Sequence, residues 1–102
     1  MRVLVTGANG QLGQDVVQCF RVSGHEVEGL GRAKLDITDL DQCFDVMSKS
    51  RPEAVIHCAA YTAVDAAESD ADGAYLVNAI GTRNISLAAE KVGAKLIYIS
   101  TD

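Results

Sequence analysis

Residues 5–13 read VTGANGQLG, with glycines at 7, 10 and 13. On the amino side stands RVLVT (2–6), a continuous apolar run of the kind found in a buried strand. On the carboxyl side stands QLGQDVVQCFRVSG (11–24), which places Leu12, Val16, Val17 and Phe20 at helical spacing before Gly24 can cap it. A bare glycine string is a frequent accident, but one that leaves a strand and enters a helix has a physical purpose. Gly7 lets the backbone turn sharply off the strand. Gly10 removes a side chain so that a pyrophosphate can reach the amides, and Gly13 permits close packing of helix on strand. Free N–H groups and the positive end of the helix dipole then face an anion. The plain alternative is a tight turn with no ligand.

The rest of the chain repeats the strand and helix alternation. EVEGL (26–30) alternates as a second strand, and KLD (34–36) reads as a short third. Thr38 is placed to cap a helix from Asp39 to about Ser50, whose buried stripe is Leu40, Phe44 and Met47 and which Pro52 stops. AVIHCAA (54–60) is the fourth strand, and YTAVDAAESD is a polar, alanine-rich connection. A long helix over 70–92, capped by Ser69 or Asp70, presents Ala74, Val77, Gly81, Ile85, Ala88 and Val92 on its apolar side and ends at Gly93. Gly81 within it predicts a close helix contact. KLIYIS (95–100) is the last strand. Near-continuous apolar strands separated by amphipathic helices predict a doubly wound α/β domain of Rossmann type, an incomplete parallel sheet of about five strands with helices on both faces.

Composition sets the outer limits. The 102 residues are 48% hydrophobic, enough for one domain over 1–102 with a core of its own. Nine basic against 14 acidic residues give a net charge of -5 without a basic stripe, which argues against nucleic acid as a partner. No apolar run has bilayer-spanning length, and a soluble, cytoplasmic protein is expected. The cysteines at 19, 43 and 58 are odd in number and sit in apolar stretches, which reads as reduced, buried packing. His57 and Cys58 are adjacent, so a strand sends them to opposite faces, and no metal site is expected.

The end of the second strand bears on the choice of coenzyme. An acid there would bind a ribose 2'-hydroxyl, but Leu30 and Gly31 occupy the place and Arg32 follows. A guanidinium holds a 2'-phosphate through paired, charge-assisted hydrogen bonds, so NADPH is favoured over NADH. The bland reading of Arg32 is a solvated surface charge. Asp36 and Ile37 are positioned to offer an adenine an acceptor and an apolar contact, or Asp36 is simply a turn former. CAAYT (58–62) follows the fourth strand, and small residues such as Ala59 and Ala60 let backbone approach a bound coenzyme; a small-residue packing corner is the alternative.

Together these residues resemble the extended short-chain dehydrogenase/reductase superfamily. TGANGQLG, LDITD, HCAAYTAVDAAE, VNAIGTRNI and GAKLIYISTD are similar to the dTDP-4-dehydrorhamnose reductase family over the whole chain. The resemblance implies NADPH- or NADH-dependent reduction of a nucleotide sugar, dTDP-4-dehydrorhamnose, to dTDP-L-rhamnose. By position it implies Gly10, Gln11 and Leu12 at the pyrophosphate, Asp36 and Ile37 at the adenine, and Ala60 and Thr62 on the nicotinamide side. It also implies Thr101 and Asp102 at the sugar, with Thr101 the hydroxyl partner of the catalytic tyrosine.

That tyrosine belongs to a Tyr-x-x-x-Lys pair, in which lysine lowers the tyrosine pKa one helical turn away. Four residues after Tyr61, Tyr75 and Tyr98 stand Asp65, Ala79 and Asp102. None is lysine. The chain is therefore expected to be the coenzyme-binding part of a longer reductase, inactive alone, with the pair beyond residue 102. Another class of function is a coenzyme-binding regulatory subunit similar to that of methionine adenosyltransferase. A third is an interaction module, with a homodimer formed through the helix 70–92.

Overall fold

A computed structural model of the chain describes residues 1–58 and 71–99, the side chains of 71–75 excepted. The elements are β1 (Arg2–Thr6), α1 (Gln11–Val22), β2 (Glu26–Leu30), α2 (Leu40–Ser50), β3 (Ala54–Cys58), α3 (Ala71–Lys91) and β4 (Lys95–Ile99). All strand pairs are parallel and the order is β2-β1-β3-β4. This is the predicted doubly wound α/β arrangement.

Two cores lie on opposite faces of the sheet. On one, Val3, Val5, Ile56 and Cys58 meet Val17 of α1, with Leu12, Val16 and Phe20 packed beside them, which is the stripe the spacing predicted. On the other, Leu4, Leu30 and Val55 meet Cys43 and Met47 of α2 and Ile85, Ala88 and Ala89 of α3. The two-residue period of the strands divides these sets. Leu4, Val5 and Val55 are all fully enclosed, as strands covered on both faces require.

Several local expectations are corrected. The described residues form four strands, not five, because KLD (34–36) is not a strand. The amides of Lys34 and Leu35 both bond to the Gly31 carbonyl, at 3.1 and 3.0 Å, and curl the chain. Leu35 then enters the core as a single buried side chain. The cap of α2 is Asp39, whose carboxylate accepts from the Gln42 amide at 3.2 Å, not Thr38. The helix ends at Arg51, a left-handed residue at φ 46 that the sequence reading missed, one residue before Pro52. The β3 strand covers 54–58; residues 59–70, including Ser69 and Asp70, lie outside the described residues. Gly81 does make a close approach, but to the side chain of Ile37 in a loop rather than to a helix. Cys43 and Cys58 are buried as expected, whereas Cys19 is exposed.

Candidate functional site

Strand order places the functional cleft. The chain leaves β1 toward β2 on one side and later returns to lay β3 on the other, so crossovers depart in opposite directions at the carboxyl ends of β1 and β3. Open α/β sheets form their ligand crevice at such a switch point. Here a cleft of about 730 Å³ is walled by Thr6 and Gly7 from the end of β1, Gly31 and Arg32 after β2, and His57 and Cys58 closing β3.

The glycine turn forms its floor. Gly7 has φ +67, and a β-carbon on it would collide with the Cys58 carbonyl oxygen. A β-carbon on Gly13 would collide with the Gly7 carbonyl. The two glycines therefore let the turn sit down on β3 and let α1 sit down on the turn. Backbone bonds from Gly10 to the Gly7 carbonyl (3.1 Å) and from Ala8 to the Leu30 carbonyl (3.2 Å) fix the loop. Gly10 is the N-cap of α1 and offers no side-chain acceptor, and the first turn contains no acid. The amino end of α1 thus presents its positive dipole end without an internal counter-charge.

The opposite wall is the loop 35–38. Asp36 Oδ1 accepts from the Thr38 amide (3.0 Å) and the Thr38 hydroxyl (2.6 Å). These two bonds, the hydroxyl foremost, hold the Asp36 carboxyl below the ordinary carboxylate range, and the Arg32 charge adds to them. The turn-forming role of Asp36 is therefore realised by one of its oxygens. Ile37 is anchored through its carbonyl, which accepts from Asn84 Nδ2 at 2.9 Å, and through the contact of its side chain with Gly81.

Beneath the cleft lies a buried polar group. His57 is enclosed between Thr6 Oγ1 at Nδ1 and Thr82 Oγ1, 3.2 Å away, at Nε2. Burial lowers its pKa to about 4, so the ring is neutral at pH 7.

Of the residues singled out in the sequence, Gly7, Gly10, Arg32, Asp36 and Ile37 come together around this cleft. Gly13 and Leu12 turn to the opposite side, Gly13 against the turn and Leu12 against the α1-side core, and exposed Gln11 reaches toward Asp15 at 3.4 Å. Ala59, Ala60, Thr62, Thr101 and Asp102 lie outside the described residues. The sequence reading passed over Asn9 and Asn78, which also line the cleft, gave Val77 only a place on the apolar side of its helix, and weighed His57 only as a metal ligand. A histidine inside the apolar run AVIHC was itself a signal, since a polar ring in a buried strand needs partners.

Comparison with known proteins gives a family model, described as the RmlD substrate binding domain, that matches residues 1–102. A dTDP-4-dehydrorhamnose reductase of Streptomyces griseus is 45% identical over 101 residues, covering 99% of this chain and 33% of that protein. The crystal structure of a dTDP-4-dehydrorhamnose reductase from Bacillus anthracis in complex with NADP superposes with a TM-score of 0.86 at 47% identity. It covers 97% of this chain and 36% of the other. A UDP-glucose 4-epimerase of Thermus thermophilus in complex with NAD matches with a TM-score of 0.89 at 29% identity, over 99% of this chain and 38% of that one. The chain thus spans about a third of the length of the relatives it matches.

Proposed function

The chain belongs to the RmlD substrate binding domain family, and from that premise we infer that it carries the coenzyme-binding part of a reductase. The reaction is reduction of dTDP-4-dehydrorhamnose to dTDP-L-rhamnose, a nucleotide-sugar step in polysaccharide biosynthesis carried out in the cytoplasm. The observation that carries the reading is the pairing of an uncountered helix amino end at Gly10 with an arginine, not an acid, after β2. The first suits a pyrophosphate and the second a ribose 2'-phosphate, so NADPH is the coenzyme preferred over NADH. Asp36 and Ile37 fit the adenine side of the same cleft. Ala59, Ala60 and Thr62 are assigned to the nicotinamide side by family position, and Thr101 and Asp102 to the sugar. Among the three tyrosines none has a lysine four residues on, so none of them is assigned as the proton donor of the reaction.

Titration calorimetry with NADPH and NADH tests the reading. Heat is expected with both, larger affinity with NADPH, and no reductase turnover by the 102-residue chain. Absence of heat with either coenzyme from a demonstrably folded protein refutes it. Arg32→Ala is expected to weaken NADPH about tenfold and NADH less than about threefold, since only NADPH carries the extra phosphate. Equal losses remove Arg32 from the site.

Self-association through α3 has separate support. Leu76, Ile80 and Leu87 are exposed and share one side of that helix. Sedimentation of the purified chain is expected to report a dimer, and a monomer at high concentration excludes this interface.

A further inference from the structure

We infer that Asn84 is a positioning residue: from α3, together with a notch at Gly81, it fixes the loop 35–38 at the depth where Asp36 and Ile37 select adenine over other bases. This rests on the coenzyme reading above. Asn84 does not line the cleft; it is 2% exposed and acts through Ile37. The loop is shaped locally. The Asp36 carboxylate holds Thr38, the Asp36 amide donates to Gln42 Oε1 at 3.2 Å, and the Asp39 amide donates to the Asp36 carbonyl at 3.0 Å. These bonds travel with the loop and do not place it. Another layer takes hold at the Ile37 carbonyl, which accepts from Asn84 Nδ2 at 2.9 Å, across 47 positions of chain, and from Cys43 Sγ at 3.6 Å. Among the described residues, every other hydrogen bond of residues 35–38 is made within 31–43.

Gly81 stands three residues before Asn84, on the same face of α3. A β-carbon on Gly81 would collide with Ile37 Cδ1 and Cγ1, so the helix grips one residue both by its carbonyl and by its side chain. The same helix lines the cleft with Val77 and Asn78, and the wall that meets the base is therefore set against it. Thr38 occupies Oδ1 of Asp36, and the second carboxylate oxygen is left to accept from the 6-amino group of adenine. Hypoxanthine carries a carbonyl there and meets the carboxylate oxygen to oxygen. That discrimination depends on the depth of the loop, which the local bonds do not set.

Dissociation constants for NADPH and for its hypoxanthine analogue are read by fluorescence titration of the 102-residue chain, with circular dichroism as a control of folding. The unmodified protein is expected to bind NADPH the more tightly. Asn84→Asp keeps the shape of the side chain but sets an acceptor against the Ile37 carbonyl. It is expected to weaken NADPH about tenfold and the analogue less than about threefold. Partial unfolding raises both constants by one factor and leaves their ratio alone, so a fall in the ratio reports positioning and not stability. Gly81→Ala is the second arm. It adds helix propensity while pushing Ile37 off the notch, and NADPH is expected to weaken about fivefold with the analogue changing less than about twofold. Should Asn84→Asp fail to fold, Gly81→Ala decides alone. A folded variant of either kind that keeps the unmodified ratio overturns the proposal. If the unmodified protein binds neither ligand, or binds both alike, the adenine assignment falls and this inference with it; if it discriminates and the variants discriminate equally, only this inference falls.

Discussion

Thr6 Oγ1 and His57 Nδ1 lie 2.5 Å apart, and the two residues are also direct partners in the β1–β3 register. A neutral imidazole has one N–H and one lone pair, so of Thr6 and Thr82 one hydroxyl donates to the ring and the other accepts from it. The contact ties the two strand ends that flank the switch point to α3, and burial keeps the ring in it uncharged.

The pH dependence follows from that neutrality. The folded-state pKa of His57 is lowered from 6.5 to about 4 by burial. Between those values the unfolded chain binds a proton that the folded chain does not, so stability falls as pH is lowered through the window and is fully present above it. The loss by the bottom of the window is roughly 3 kcal/mol for this one group. Denaturant unfolding at a series of pH values is expected to show it, and His57→Gln to abolish it, so that the difference between the two proteins isolates the His57 contribution. An unchanged slope in the variant places the pH dependence elsewhere.

Gly7→Ala should be severe. The position is at φ +67, and the added carbon collides with backbone of Cys58, which cannot swing aside as a side-chain tip can. A cost of about 3 kcal/mol is expected, combining left-handed strain with a forced shift of β3 against the turn. Urea unfolding measures it, and a loss under about 1 kcal/mol shows that the turn yields.

Arg51→Gly should have the opposite sign. Arg51 closes α2 at φ 46 through its amide bond to the Met47 carbonyl at 2.9 Å, and its carbonyl accepts from Arg2 Nε, also at 2.9 Å. Both bonds use backbone and survive the change. Relief of the left-handed conformation is expected to stabilise the protein by about 1 kcal/mol, seen as a rise in Tm. A fall in Tm assigns the Arg51 side chain a contact that outweighs the strain.

The cysteines should label unequally. Burial foremost, with the charges of Asp39 and Asp36, pushes the Cys43 thiol up to about 11, and burial raises Cys58 as well. The thiolate is the reactive form. Native protein treated with iodoacetamide at pH 8 is expected to take up one equivalent quickly, at exposed Cys19, and the other two only on unfolding. Mass spectrometry of the peptides identifies the site, and fast labelling of Cys43 contradicts its burial.

Much of the site was legible because its determinants are local. Gly7 and Gly13 are dictated by a turn nine residues long, and their placement between an apolar run and an amphipathic helix announced both the strand and the helix. The position of Arg32, beside the cleft two residues past β2, was legible for the same reason, since it is a matter of counting. KLD was misread because three residues carry too little period to separate a strand from one buried leucine between turns. The left-handed Arg51 gave no warning, as arginine has no preference for that conformation.

The sequence by itself determined the alternation of the four strands with the helices, the core face of α1 and the glycine turn that leads into it, because each follows from periodicity and from backbone freedom within a few neighbours. Only the tertiary structure decided that Gly31 lies under Asn9, that Gly81 receives Ile37, and that His57 is held between Thr6 and Thr82. Those pairs join residues 22 to 51 positions apart, or across separate crossovers, and nothing in local propensity encodes them. They arise when the parallel sheet sets β1 between β2 and β3 and close packing leaves each atom's room to its neighbour.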